Sequence, residues 1–380
     1  MARNTNDRGF SLKDELFNRH KVRMLGERFT AVSRQFSAQQ FETTVMRRLL
    51  ELELKQRIGC IADALEEQLP TNFTEAAALL VAALPEPLDP QKSDDDFGDF
   101  IYAPLGEYVA RHGLTKKHLK TSLATLREIT MRFSMEDAIR SFLDTYPKET
   151  LSVMQGWVAD EHYHVRRLVS EGTRPLLPWS GRISLSPHDT VPLLTILHTD
   201  TTRYVTRSVA NHLNDIAKSN PELVVQTLKG WQRAGRQDAK ELAWMTRHAL
   251  RTLVKQGDTA ALALLGFTKN PNIVVSRIKN TPKTVPVGET LEFSCVITAQ
   301  EDVKLMIDYG IMFLKASGKK AEKIYKITQV SLRAGEQYEV SKKHRFVKGA
   351  TTLTFYEGDH VLRLQINGSS FGSTTFKLLT

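Results

Sequence analysis

The spacing of apolar residues changes once along the chain. Up to about residue 271 they recur at every third or fourth position, as in amphipathic helices, whereas residues 272–380 contain short alternating runs separated by Gly and Asn. The change falls within residues 266–272. We therefore expect a mainly α protein, with a helical domain over residues 1–268 and a β domain over residues 272–380.

A repeat of 40 residues organises the helical part. The segments HVRR, YVTR and WMTR begin at His164, Tyr204 and Trp244, and an apolar helix is predicted before each of them, over residues 149–158, 190–197 and 222–231. Each unit is then a pair of helices joined by a turn. Because such units bury their apolar faces only by stacking on their neighbours, the period predicts a HEAT-like α-solenoid.

The second helix of each unit carries arginines on its polar face, accompanied in the first two units by carboxylates or an amide. The repeat aligns three such groups: Arg167 with Glu171, Arg207 with Asn211 and Asp215, and Arg247 with Arg251. One interpretation is a solvated face with i,i+4 pairs, worth roughly 0.3–0.5 kcal/mol each. The other is a groove in which the arginines bind phosphates and the carboxylates act on a cationic group. The periodicity leaves both open.

The β part contains enough short strands for an immunoglobulin-like sandwich. The candidates are residues 273–278, 290–298, 303–313, 323–332, 338–346, 353–356, 361–366 and 374–379. The segment GSSFG at 368–372 resembles a nucleophile elbow, but it lies among strands with only a short tail after it, so we interpret it as a hairpin turn. The basic run that contains Lys342 and Lys343 suggests DNA binding, and the alternative is a domain that only caps the solenoid.

Charge and composition narrow the class of protein. The 380 residues include 52 Lys+Arg against 43 Asp+Glu, and residues 272–380 carry +6 of the net +9, which is compatible with a polyanionic partner. No apolar stretch is long enough to cross a bilayer and the chain starts with a polar segment, so we expect neither a membrane nor a secreted protein. The two cysteines, Cys60 and Cys295, fit a reducing cytoplasm.

Metal and cofactor motifs are weak. We interpret the acidic run at residues 94–96 as a solvated loop, and His162 and His164 are expected on different faces of a helix. There is no glycine-rich phosphate-binding loop. We therefore expect neither a metal nor a cofactor.

Three longer segments resemble the AlkC family of bacterial DNA alkylation-repair glycosylases. They are SMEDAIRSFL from Ser134, HVRRLVSEGTRPLLPW from His164 and YVTRSVANHLNDIAK from Tyr204, and the resemblance extends over most of residues 10–265. Some members of that family also carry a C-terminal immunoglobulin-like domain. The resemblance implies a monomer that hydrolyses the N-glycosidic bond of 3-methyladenine, and of cationic bases such as 3-methylcytosine, in double-stranded DNA without flipping the base.

The resemblance also assigns roles to residues. Glu136, Glu171 and Asp215 match acidic family positions, where carboxylates would stabilise the positive charge that develops on deoxyribose as the bond breaks. Trp179 matches an aromatic position that offers its face to the cation. The repeat pattern and the basic run of the tail, rather than the resemblance, indicate the residues that would hold DNA: Arg167, Arg207, Asn211, Arg247, Lys342 and Lys343.

Each assignment has a purely structural alternative. Glu136 would favour the first turn of its helix, Glu171 would complete a helix end, Asp215 would pair with Lys218, and Trp179 would cover a repeat junction. A non-enzymatic HEAT-type scaffold that binds nucleic acid or protein is the alternative function.

Overall fold

The chain is helical up to Leu264 and forms strands from Ile273 onward, as the apolar spacing predicts. The computed structural model describes residues 11–92, 97–178, 180–349 and 353–380. Within them the chain forms two compact units, residues 11–216 with 234–245, and residues 217–233 with 246–380. The predicted fold class, a helical-repeat region followed by a β-sandwich, is confirmed.

The helices are short and closely spaced. They are α1 Leu12–Leu16, α2 Arg19–Val32, α3 Ala38–Met46, α4 Leu54–Glu66, α5 Phe73–Ala82, α6 Ala103–Gly113, α7 Leu119–Thr130, α8 Ala138–Thr145, α9 Pro147–Trp157, α10 Tyr163–Gly172, α11 Pro187–Leu197, α12 Arg203–Ile216, α13 Pro221–Ala234, α14 Ala239–Ala249, α15 Arg251–Lys255 and α16 Thr259–Leu264. Single 3₁₀ turns occupy Leu49–Glu51 and Phe100–Tyr102. No described helix is long and apolar enough to span a bilayer.

The 40-residue repeat corresponds to pairs of helices. α9 and α11 each begin with a proline, which suits the first helical position, and α10 and α12 follow them at the same spacing. α10 packs directly on α12. Val165 and Leu168 on α10, and Val205 and Val209 on α12, are fully buried, so the apolar faces of both helices are covered, as stacking of the units requires.

The strands form two sheets. They are β1 Ile273–Val275, β2 Lys279–Thr281, β3 Thr284–Pro286, β4 Thr290–Ala299, β5 Val303–Leu314, β6 Lys320–Leu332, β7 Gln337–Arg345, β8 Gly358–Ile366 and β9 Ser369–Leu379. β4 pairs with β7 on one side and with β1 and β2 on the other, and the second sheet has the order β3-β9-β8-β5-β6. Apolar side chains from both sheets, such as Phe293 and Leu362, share one core.

Two strand predictions need correction. Residues 353–356, predicted as a strand, are irregular, although Leu353 and Phe355 pack against the core and so explain the apolar pattern. The short strands β2 and β3 were not predicted, because three residues carry too little alternation. The hairpin turn predicted at residues 368–372 is shorter and begins one residue earlier: Asn367 and Gly368 form it, with positive φ of 45° and 75°, and residues 369–372 belong to β9.

Candidate active site

Arg174 joins two of the predicted carboxylates. It lies just after α10, and its Nη1 donates to Oε1 of Glu171 at 2.5 Å. Its Nε and Nη2 both donate to Oδ2 of Asp215, on the last turn of α12, at 2.9 and 2.8 Å. The packing of α10 against α12 therefore brings Glu171 and Asp215 to one guanidinium group.

Arg167 connects the third carboxylate, Glu136, to Glu171. It stands one turn before Glu171 on α10, and its Nη1 donates to Oε2 of Glu136 at 2.9 Å, while Nη2 lies 3.7 Å from Oε2 of Glu171. Its guanidinium also lies over the ring of Tyr204, 4.5 Å from the centroid. Five side chains thus form a continuous network, defined here as the ionic cluster: Glu136, Arg167, Glu171, Arg174 and Asp215.

Three members of the ionic cluster, Glu171, Arg174 and Asp215, are buried. Glu171 and Asp215 each expose 6% of their surface, so the interpretation of these residues as a solvated helix face is wrong. Burial by itself would raise the pKa of Glu171, but the guanidinium groups of Arg167 and Arg174 and the hydroxyl of Ser208, which donates to Oε2 at 2.5 Å, outweigh it and hold the pKa below its ordinary value. The Glu171 side chain is therefore a carboxylate at neutral pH.

Glu136 is the more accessible carboxylate. Its side chain is 26% exposed and precedes α8, where Ser134 donates to its Oε2 at 2.9 Å. Asp137 occupies the N-cap position of α8 without a side-chain capping bond. The Ser134 hydroxyl helps to orient Glu136.

A cavity of about 300 Å³ opens beside Glu136. Its wall includes aromatic and apolar residues from four elements, among them Ile58, Phe97, Phe100, Phe133 and Met135, together with Arg167 and Tyr204 of the cluster region. Glu171 and Asp215 do not line it. The cavity therefore shares Glu136 and Arg167 with the ionic cluster and otherwise lies apart from it.

Trp179 lies outside the described residues, and so do residues 94–96. The segments on either side of Trp179 are held by Arg140 of α8, whose Nη1 donates to the carbonyl of Arg174 at 2.8 Å and whose Nη2 donates to that of Gly181 at 2.7 Å. Leu177 and Ser180 line the same cavity as Glu136. The neighbours of Trp179 are thus fixed close to Glu136.

The remaining predicted DNA-binding residues have different surroundings. Arg207 is half-buried, with its guanidinium 5.8 Å from the Tyr204 ring and 5.9 Å from the Phe97 ring, and Asn211 is half-buried one turn later on α12. Arg247 is exposed on α14. Their binding of DNA remains a prediction.

Lys342 and Lys343 point to opposite sides of β7. Burial alternates along this strand, with Val340 and His344 inside, so Lys342 is on the inner side and half-buried, whereas Lys343 is exposed and pairs with Glu292 of β4. The basic run therefore does not present one continuous face.

Three further residues of the site, Arg174, Arg140 and Ser208, were not predicted from the sequence. Arg174 stands three residues after Glu171, so its charge and position at a helix end were a usable signal. No such signal marks Arg140 or Ser208 in the sequence, because both act through hydrogen bonds to residues more than thirty positions away. Among the described residues, no group of three or more His, Cys, Asp or Glu side chains is arranged to hold a metal ion.

The architecture and the ionic cluster define a helical-repeat protein with an immunoglobulin-like tail and an acidic site. Residues 274–380 match the family described as "Uncharacterised protein YhaZ, C-terminal Ig-like domain". The uncharacterized protein YhaZ of Bacillus subtilis (strain 168) is 34% identical over 331 residues, which cover 86% of this chain and 88% of that protein.

A solved structure matches the chain almost throughout. It is that of the Pseudomonas fluorescens alkylpurine DNA glycosylase AlkC bound to DNA containing an abasic site analog, with a TM-score of 0.87 and 34% identity over 98% of this chain and 100% of that one. The chain therefore belongs to the AlkC/YhaZ family, and the resemblance noted in the sequence is confirmed.

Proposed function

We propose that the protein is a DNA repair glycosylase that removes cationic alkylated bases, 3-methyladenine and 3-methylcytosine, from duplex DNA. Membership in a family that includes an alkylpurine DNA glycosylase supports glycosylase activity. The observation that carries the proposal is the ionic cluster, in which arginines hold the side chains of Glu171 and Asp215 in a buried site.

The reaction requires carboxylates rather than a general acid that protonates the leaving group. A base that is already cationic leaves as a neutral molecule, so the leaving group needs no proton. As the bond between C1′ and the base nitrogen breaks, the positive charge moves to the deoxyribose, and preorganised carboxylates in a dry site stabilise that charge more strongly than water does. Water then attacks C1′ and gives up one proton.

The three carboxylates have different roles in this proposal. Glu136 is the one with water access and lines the cavity, so it orients the attacking water and accepts its proton. Glu171 and Asp215 are buried and supply the negative field, which Arg174 fixes in position. Trp179 would present its ring to the cation.

DNA binding is assigned to residues outside the centre of the cluster. Arg207, Asn211, Arg247 and Lys343 are the proposed contacts to the phosphate backbone, whereas Lys342 lies on the inner side of β7 and is left out of this proposal. Arg167 already binds two carboxylates and stacks on Tyr204, so we assign it to the cluster first and to DNA second. The protein would act as a monomer and without base flipping.

The test is the release of free methylated bases from duplex DNA treated with a methylating agent. Purified protein should release 3-methyladenine, and Glu171→Gln should lower single-turnover release about 10²- to 10³-fold while DNA affinity is kept. Glu161→Gln, an exposed position just before α10, is the matched control and should keep full activity. Tight DNA binding without any base release by the unaltered protein would favour the non-enzymatic scaffold.

A further inference from the structure

The cavity beside Glu136 has features that the proposed chemistry does not use. Three phenylalanine rings line it, Phe97, Phe100 and Phe133, and the last two lie 4.6 Å apart. Its volume of about 300 Å³ is at the low end for small-molecule sites. An apolar cavity of this size, walled by aromatic rings, favours a small planar aromatic ligand.

Two polar groups in the cavity wall have unused hydrogen-bonding capacity. Both hydrogen bonds to Glu136 are made at Oε2, and within the described part of the chain none is made to Oε1. Ser141 on α8 is half-buried, and its hydroxyl makes no side-chain hydrogen bond with the described residues. Polar groups that line a cavity without partners are satisfied by a ligand or by water. A carboxylate oxygen accepts, and a hydroxyl donates or accepts, which matches the amino group and ring nitrogens of an aminopurine.

Charge further restricts the ligand. The cationic side chains of the wall, Lys55 and Arg167, already pair with the wall carboxylates Asp137 and Glu136, so neither is left to bind a phosphate. A free nucleobase carries no phosphate, whereas a nucleotide does. The ligand class is therefore a base without its sugar phosphate.

We infer that this cavity is a binding site for the free methylated purine, the base product of the reaction, so that released 3-methyladenine occupies it and slows the next turnover. The inference rests on the proposed function, because that function supplies the ligand. Glu136 takes part in both base binding and hydrolysis. It would accept a hydrogen bond from the exocyclic amine of the base in the cavity, and it would orient water during hydrolysis.

The experiment is calorimetric titration of free 3-methyladenine into the full-length protein without DNA. We expect saturable binding, no binding of free deoxyribose, and slower multiple-turnover excision when the base is added. Ala110→Phe on α6 places a ring in the cavity and should weaken binding about tenfold or more, because the bulk displaces the ligand. Ser141→Leu, a smaller change on α8, should do the same if Ala110→Phe does not fold.

Ala31→Phe, at an exposed position on α2, is the matched control and should bind as the unaltered protein does. Excision by a preparation that binds no free base at millimolar concentration would overturn the inference and leave the proposed function standing. Binding that neither cavity variant weakens would also overturn it, because the ligand would then sit elsewhere. Base binding without any excision would instead overturn the proposed function.

Discussion

Arg174 is the residue on which two carboxylates depend. Its planar guanidinium reaches Glu171 with one nitrogen and Asp215 with two, a geometry that a lysine ammonium cannot reproduce. The attraction of this group is one of the causes that hold the pKa of Glu171 below its ordinary value. Arg174 therefore acts on the chemistry through the carboxylates that it positions.

We expect Arg174→Lys to lower single-turnover excision at neutral pH by roughly 10- to 100-fold, less than the loss of a carboxylate. The pKa of Glu171 should rise, so the acidic limb of the pH–rate profile should move to higher pH. Because the pKa of Glu171 is lowered by folding, its contribution to stability is present at neutral pH and is lost as the pH falls through the folded-state value. The free energy of unfolding at pH 7 should therefore fall in the variant, and the difference should narrow in acid.

Arg111→Lys is the control for this prediction. Arg111 also joins two carboxylates, Asp63 at 2.5 Å and Glu107 at 2.8 Å, but on the surface of the helical part. Its replacement should leave the pH–rate profile in place. An Arg174→Lys profile identical to that of the unaltered protein would mean that Arg174 is a purely structural ion-pair partner.

Asp308 on β5 gives the β-rich unit a pH dependence of its own. The side chain is buried, and this burial raises the pKa from 3.8 to about 6, against the opposing charges of Lys255 and Lys326. Between these values the folded protein holds a proton that the unfolded chain has released, so stability falls as the pH rises, by on the order of 2–3 kcal/mol. Asp308→Asn should raise the melting temperature at pH 7.5 and have little effect at pH 4, whereas Asp359→Asn on the exposed side of β8 should change neither. Equal effects of Asp308→Asn at both values would contradict the assignment.

At the scale of elements, local patterns predicted much of the fold and part of the site. The 40-residue period placed α9 to α12 correctly because apolar spacing along one helix records which face is covered. The spacing of residues along α12 placed Asp215 on the polar face of that helix, which suggested contact with solvent. In the structure Asp215 is buried and binds Arg174. Sequence spacing records position around one helix, and it does not record which charged residue a neighbouring element supplies.

The loop that carries Phe97 depends on one glycine. Gly98 has φ of 73°, and a Cβ there would lie 1.9 Å from the carbonyl oxygen of Arg132, so any side chain forces the backbone to move. The exposed ring of Phe97 contacts Tyr204 edge-on with centroids 5.5 Å apart. The loop is also tied to the segment after α7, because the amide of Leu88 donates to the carbonyl of Met131 at 2.9 Å.

We expect Gly98→Ala to lower stability by about 1–3 kcal/mol and to lower excision, because Phe97 moves away from the cavity wall. Urea unfolding and single-turnover assays would measure the two effects. Gly156→Ala, within α9 and with open space around it, should instead be neutral or stabilise by up to about 1 kcal/mol. Unchanged stability in Gly98→Ala would show that the loop adapts without cost.

For the whole enzyme, the charge of the lesion should decide what is excised. A cationic base such as 3-methyladenine has a labile bond and is attracted to the carboxylates, whereas hypoxanthine is neutral and has neither property. Duplexes that differ only in the lesion should therefore give release of 3-methyladenine and none of hypoxanthine in parallel single-turnover assays. Efficient release of hypoxanthine would argue for a site that recognises base shape.

The β-rich tail is joined to the helices that precede it, so its role is better tested by substitution than by removal. Gln365 Nε2 donates to the carbonyl of Lys255 on α15 at 2.9 Å, and Asn367 Nδ2 donates to that of Thr268 at 2.8 Å. Truncation at residue 272 would take these partners away from α15 and from the segment after α16. Point substitutions in β7 change the charge without this disturbance.

If the exposed side of β7 contacts DNA, Lys343 and Lys342 should differ. They face opposite sides of the strand, so a duplex lying against the exposed side can be reached by Lys343 but not by the half-buried Lys342. Each phosphate contact contributes about 0.9 to the slope of log affinity against log salt concentration. Lys343→Gln should therefore flatten the slope by about 0.9, and Lys342→Gln should leave it unchanged.

Lys117→Gln, exposed between α6 and α7 at the end of α6 away from Glu136, is the matched control. Equal flattening by both β7 variants would place DNA along the edge of the strand, and no flattening by either would leave the tail as a cap on the helices.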